Sequence, residues 1–129
     1  MRLLLDTHTF IWWSGDDPSL LSPTVKALVG DRHNDIFLST VSVWEMAILI
    51  AKGRLAIAQS LRSLVVSHIA LYQFQPLMIT YDHAYYVETL PMHHKDPWDR
   101  LLIAQAFVED LIILTRDHKF PQYGVQVAW

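Results

Sequence analysis

Two short apolar runs, each ending at or just before an aspartate, constrain this chain more than any other feature. Leu3-Leu4-Leu5 leads into Asp6, and Leu111-Ile112-Ile113-Leu114 leads through Thr115-Arg116 into Asp117. A strand with one wet face alternates polar and apolar residues. An unbroken apolar run is instead buried on both faces, as in a parallel sheet covered by helices on each side. Residues 2–6 and 111–115 therefore read as strands. Further strands are expected at 36–39, within 74–79 and at 125–128, with Pro76 making the third an edge strand or a brief one.

Helical patterns fill the intervals. Phe10 to Trp13 form a helix or turn that ends in Ser14-Gly15-Asp16-Asp17-Pro18. Ser22-Pro23 opens a helix running to about Gly30, with Ser as cap and Pro at the first position. Ser42-Val43-Trp44-Glu45 opens the next, and Gly53 stops it. Ile57, Leu61, Leu64, Val65, His68 and Ile69 make a 3.6-residue stripe on a further helix. Residues 81–90 read as helical, and Asp96-Pro97 starts the last helix. Strands alternating with helices predict an α/β fold in three layers, a mainly parallel central sheet flanked by helices. The 129 residues predict a single domain, 1–129, with one core.

Composition narrows the function classes. A hydrophobic content of 52% excludes disorder. The net charge of −3, from 10 Lys+Arg against 13 Asp+Glu, argues against a dedicated electrostatic nucleic-acid binder, but not against an enzyme that acts on nucleic acid. With no cysteine there is neither a disulfide framework nor a thiolate zinc site. The longest apolar run, 46–51, is far short of the roughly 20 residues that span a bilayer. The chain enters a strand pattern at once, without a signal-peptide apolar region. A cytoplasmic protein with no membrane partner is expected.

The chemistry is carried by acids. Asp6 and Asp117 follow strands, while Glu45, Asp96 and Asp99 lie in the first turns of helices. In an open α/β sheet the strand carboxyl ends and the following helix starts meet at one edge, so these scattered carboxylates converge. Converging carboxylates repel, and a hard divalent cation among them relieves that repulsion. Each acid also has a structural use. Asp6 and Asp117 suit turns, and Ser42-x-x-Glu45 has the spacing of a capping box. Asp96 suits a helix cap, with Asp99 at the third helical position, where the dipole favours both. Asp99 is the favoured direct ligand, and Asp96 a cap or supporting residue. Thr115 is placed to hydrogen-bond the acids, a water or a phosphate oxygen. Of the seven histidines, His8, His93, His94 and His118 lie near the acids, but none forms the i, i+4 pair of a zinc-protease helix. Carboxylate ligands suit Mg²⁺ or Mn²⁺ better than zinc.

Taken together, Leu3-Leu4-Leu5-Asp6-Thr7-His8, Ser42-Val43-Trp44-Glu45, His94-Lys95-Asp96-Pro97-Trp98-Asp99-Arg100-Leu101-Leu102-Ile103-Ala104-Gln105-Ala106 and Leu114-Thr115-Arg116-Asp117 resemble the PIN domain, specifically the VapC-type toxins of bacterial toxin–antitoxin pairs. The resemblance spans nearly the whole chain, and the segment from His94 is its most specific part. It implies a parallel sheet flanked by helices and a metal-dependent endoribonuclease. It implies an acidic Mg²⁺ or Mn²⁺ site at Asp6, Glu45, Asp99 and Asp117, and a homodimer inhibited by a small VapB-type antitoxin. On that reading, water hydrolyses an RNA phosphodiester, and Arg100, Arg116 and Lys119 are candidates to hold the RNA backbone. Two other readings compete. Asp6-Thr7-His8-Thr9 superficially resembles the haloacid dehalogenase family, implying an aspartyl phosphatase, yet His8 stands where that chemistry expects a second acid. A non-enzymatic acidic domain that binds a partner protein would use the same acids as caps and turn residues.

Overall fold

The leucines of the first strand show how the sheet is built. In the computed structural model, which describes residues 1–15 and 17–129, β1 (Arg2–Leu5) carries three consecutive leucines with no solvent exposure. Side chains alternate across a strand. Leu3 and Leu5 accordingly join a core with Phe10, Val25, Ile36, Leu38, Met46 and Leu64 on one face. Leu4 joins Val41, Leu102, Ile103, Ile113 and Phe120 on the other. Each fully buried leucine contributes roughly 1.5–3 kcal/mol, so the unbroken run stabilises both faces at once. Asp16, inside the turn expected after Trp13, lies outside the described residues.

The remaining elements follow in order: α1 (Thr7–Ser14), α2 (Pro23–Gly30), β2 (Asp35–Ser39), α3 (Thr40–Ala51), α4 (Leu61–Tyr72), β3 (Gln75–Leu77), α5 (Tyr81–Thr89), α6 (Pro97–Glu109), β4 (Ile112–Leu114) and β5 (Val127–Ala128), with short 3-10 turns at Pro18–Leu20 and Phe120–Tyr123. The five strands lie in the order β3-β2-β1-β4-β5, and every described pairing is parallel. Helices cover both faces, giving the expected three-layer α/β architecture. β3, with Pro76, is the brief edge strand anticipated. Among the described residues, no helix is long and apolar enough to cross a membrane.

Two helix starts differ from the sequence reading. α3 begins at Thr40, capped by Ser39, whose Oγ accepts from the Val41 N–H at 3.0 Å. Ser42 therefore sits inside the first turn and is no cap, and the capping-box role for Glu45 falls away. α4 begins at Leu61 because Ser60 caps it, accepting from the Ser63 N–H at 3.1 Å. Ile57 packs against the core from the preceding loop instead.

The strand order places the site. Successive connections run from β1 out through β2 to β3, and the chain then returns to the other side of β1 as β4. The carboxyl ends of β1 and β4 therefore flank a reversal of strand order, where open α/β sheets form their ligand crevice. Asp6 follows β1, Thr115 and Asp117 follow β4, and α3, carrying Glu45, leaves the end of β2 directly.

Candidate metal centre

Asp6 occupies the cap position of α1 but does not cap it: no side-chain hydrogen bond reaches the helix start. Its Oδ2 accepts instead from Thr115 Oγ1 at 2.8 Å, across the β1–β4 pair. Asp6 is 7% exposed. Burial pushes its pKa up, against the opposing pull of the Thr115 hydroxyl and His8. A turn aspartate would face water. This one faces the crevice.

Glu45, on α3, is buried to the same degree, and its Oε1 has no hydrogen-bond partner. Ser42, which the capping reading paired with it, accepts from Thr7 Oγ1 at 3.0 Å. Burial raises the Glu45 pKa, the Thr7 hydroxyl partly offsets this, and the charges of Asp96 and Asp6 add to the rise. A buried carboxylate oxygen left without a donor carries a desolvation cost of about 1–3 kcal/mol or more, which a bound cation would remove.

The start of α6 follows the sequence reading. Asp96 Oδ1 accepts from the Trp98 and Asp99 N–H groups at 2.8 and 3.2 Å, and Pro97 takes the first position. This cap directs Asp99 toward the crevice. Burial first, then the charges of Asp6, Asp96, Glu45 and Asp117, push the Asp99 carboxyl up to about 9. Asp99 is therefore neutral at neutral pH in the metal-free protein.

His94 is the residue that sequence reasoning underrated. Its Nδ1 accepts from the Asp96 N–H at 3.2 Å, so the ring N–H on Nε2 is the one turned toward the acids. Nε2 lies 2.7 Å from Asp99 Oδ2 and 3.2 Å from Asp117 Oδ2. His94, Asp99 and Asp117 place one ligand atom each within 4.8 Å of one another. The signal available in sequence was the position of His94 two residues before the Asp96 cap, where a turn folds its ring back toward the helix start. Asp117 is itself fixed by local bonds: its N–H donates to Thr115 Oγ1 at 3.1 Å, and its Oδ1 accepts from the Lys119 N–H at 2.9 Å.

The crevice, about 320 Å³, is lined by Asp6, His8, Trp12, His94, Asp99, Arg116 and Asp117. Glu45 and Asp96 lie behind this lining, close enough for their charges to act on Asp99. A comparable depression of about 450 Å³ between α3 and α4 holds no titratable side chain. The predicted cations separate. Arg116 stands at the crevice with Cζ 4.3 Å from the centre of the Trp12 ring. Lys119 is exposed on the following turn. Arg100 turns away from the crevice, contrary to the expectation of an RNA-holding role. Nη1 donates to the Pro91 carbonyl and the Tyr123 hydroxyl at 2.7 and 3.2 Å, and Nη2 to the Leu90 and Val87 carbonyls at 3.2 and 3.3 Å. These carbonyls lie in the last turn of α5 and just beyond it, where a cation interacts well with the helix end; that of Val87 also accepts the Leu90 N–H at 3.1 Å.

The PIN domain family profile matches residues 3–126. The chain belongs to the PIN domain family. Among curated proteins, none matches it by sequence. Solved structures that share this fold include the following three. A chain of VapBC2 from Rickettsia felis, bound to a DNA fragment from its promoter, superposes with a TM-score of 0.73 at 14% identity, covering 99% of this chain and 98% of that one. FitAcB from Neisseria gonorrhoeae gives 0.62 at 21% identity, over 97% and 95%. VapBC-5 from Mycobacterium tuberculosis, a member of the VapBC family of toxin–antitoxin systems, gives 0.59 at 17%, over 98% and 95%. At these identities the likeness is one of fold.

The donor set of this PIN domain fits a hard divalent ion. Asp6, Asp99 and Asp117 supply carboxylate oxygens at one crevice, and behind it lies the unpartnered Glu45 Oε1. Oxygen-rich sets of this kind suit Mg²⁺ or Mn²⁺.

Proposed function

We propose that this chain is a metal-dependent endoribonuclease, the toxin of a toxin–antitoxin pair, with Asp6, Glu45, Asp99 and Asp117 as metal ligands. One observation carries the reading: Asp6, Asp99 and Asp117 line one crevice at the strand-order reversal with Glu45 behind it, the Asp99 pKa pushed up to about 9 and Glu45 Oε1 unpartnered. A structural acid cluster has no use for such crowding, whereas perturbed carboxylates in a cleft are expected at functional sites.

The protein's own groups have distinct tasks. Thr115 holds the Asp6 carboxylate through Oγ1. The Asp96 cap fixes the first turn of α6 and so the direction of Asp99. His94 Nε2 bridges Asp99 and Asp117 and holds the two carboxylates together at the crevice. A bound Mg²⁺ or Mn²⁺ supplies positive charge for the scissile phosphate and acidifies water for in-line attack. Arg116 and Lys119 meet the RNA backbone, positioning it without reading sequence. Hydrolysis by water leaves 5′-phosphate and 3′-hydroxyl ends.

The proposed partners are a VapB-type antitoxin and a second copy of the chain. The structural neighbours from toxin–antitoxin systems support the first. Trp44, Met78, Tyr81, Tyr85 and Met92 are exposed and suit coverage by another protein. The test is cleavage of a small-RNA pool by purified protein with Mg²⁺, with chelator, and with Asp6→Asn. Discrete Mg²⁺-dependent products with 5′-phosphates, lost in the variant, are expected. Equal cleavage by the variant would remove Asp6 from the mechanism.

A further inference from the structure

Arg116 is a cation beside several carboxylates that pairs with none of them. It lines the same crevice as Asp6, Asp99 and Asp117, yet among the described residues it has no hydrogen-bond or ion-pair partner. Its guanidinium lies instead over the Trp12 ring. A flexible arginine next to a cluster of acids is expected to fold onto them, so something must hold it off. The indole face is that something. It attracts the guanidinium through the ring quadrupole and leaves the planar N–H edge free.

Trp12 is itself held in place. It packs edge-to-face on Trp129, with ring centres 5.8 Å apart, and against the core below the sheet. His8 lies on another side, with ring centres 5.8 Å apart. The two other cations considered for RNA differ in kind: Arg100 has spent its donors on carbonyls, and Lys119 has no ring beneath it among the described contacts. Only Arg116, of these three, combines free donors, a fixed plane and a place on the crevice wall.

We propose that Trp12 is a positioning residue that holds Arg116 off the acids and presents it as a fork for one RNA backbone phosphate at the crevice mouth. This rests on the nuclease reading and adds to it a specific substrate contact and the residue that enforces it. A guanidinium stacked on one face still offers two parallel N–H bonds in its plane, the geometry that non-bridging phosphate oxygens accept. Trp12 also keeps the metal ligands from being neutralised by a side chain of the protein itself.

The test is binding of a short fluorescein-labelled single-stranded RNA, followed by anisotropy across a salt series, with Ca²⁺ in place of Mg²⁺ to hold back cleavage. Losing one phosphate contact reduces the slope of log affinity against log salt by about 0.7 for a single strand. Arg116→Gln is expected to show that reduction. Trp12→Leu is expected to show the same reduction although Arg116 is present, and Trp12→Phe to restore the wild-type slope. In an Arg116→Gln background, Trp12→Leu should change the slope no further. Melting temperatures of the variants separate a folding defect from the positioning effect, because a folding defect does not depend on whether residue 116 is Arg. A second readout is the Mn²⁺-induced thermal shift, expected to weaken in Trp12→Leu and to return when Arg116→Gln is added. A wild-type salt slope in Trp12→Leu, or additive slopes in the double variant, would overturn the proposal while leaving the nuclease reading intact. Absence of any divalent-dependent RNA binding by the wild type would overturn both.

Discussion

Two polar clusters pack against α6, and they are built on opposite principles. Toward its middle and C-terminal end, the polar groups are paired. Ser39 Oγ donates to Gln105 Oε1 at 2.6 Å, Gln105 Nε2 reaches the Met78 carbonyl at 3.4 Å, and His83 joins the Thr80 N–H and Glu109 Oε1 at 3.0 and 2.7 Å. At the N-terminal end, Asp6, Glu45 and Asp117 lie close enough for their charges to act on Asp99, and Glu45 Oε1 has no partner at all. Burial is similar in the two places: Gln105, His83 and Ser39 are fully buried, and Asp6 and Glu45 nearly so. The difference lies in satisfaction. A paired network specifies the packing of α6 on the end of β2, whereas at the other end Glu45 Oε1 is unpartnered and the acids, though Asp6, Asp99 and Asp117 each have a contact, are crowded at a cost that a cation would relieve. The two ends of the same helix are told apart by how completely the polar groups are satisfied within the chain.

Substitutions in the two clusters should therefore have opposite signs. The largest effect is expected at Asp99. Asp99→Asn should lower RNA cleavage by at least about 100-fold, beyond what the loss of a residue that merely supports a ligand costs. It should also raise the melting temperature of the metal-free protein, because Asn removes the cost of protonating the Asp99 carboxyl on folding, and abolish stabilisation by Mg²⁺. Calorimetry with and without the ion checks both parts, and a variant that melts lower and still responds to Mg²⁺ would break the contrast.

Next comes Gln105→Leu, expected to destabilise by about 1–3 kcal/mol through the orphaned Ser39 hydroxyl, with the Mg²⁺-induced shift retained. Denaturant titration measures the first, and the same calorimetry the second. Arg100→Met should behave like a member of the paired set, losing about 1–3 kcal/mol as the α5 carbonyls lose their donor, with little change in RNA affinity. A fall in affinity at unchanged stability would return Arg100 to the RNA-binding residues.

The remaining prediction is a dependence on pH. The ordinary Asp99 value is 3.8, and the folded, metal-free value is about 9. Because the folded value is the higher, the folded state binds the extra proton, and its contribution to stability is fully present below about 4 and lost as pH rises toward 9. The metal-free melting temperature should therefore fall across that window, and Asp99→Asn should flatten the slope. A melting temperature that rises with pH over the same range in the metal-free wild type would contradict the assignment.

How far the sequence foretells this contrast varies along the chain. The leucines of β1 announce a strand buried on both faces because the absence of alternation is a local property that tertiary contacts do not alter. Asp96 behaves as the cap its Pro97 neighbour implies, since capping is set by the adjacent turn. Glu45 was open to a capping reading because Ser42 has the right spacing, but Ser39 competes for the helix start and wins by also reaching Gln105. The acidic convergence follows from sheet topology, which alternating strands and helices already suggest. The positions of Arg100 and Arg116 do not follow, because each depends on a partner 9 or more residues away in sequence or on a ring packed from another element, and the reach of His94 to Asp117 is equally long-range although its turn beside Asp96 is local.

The central claim is that the four acids form one cation site. Titration calorimetry with Mn²⁺ on the wild type and on Asp6→Asn, Glu45→Gln, Asp99→Asn and Asp117→Asn tests it most directly. Saturable binding to the wild type, weakened at least about tenfold in every variant, is the expected result. No binding to the wild type, or binding of equal strength in all four variants, would contradict it.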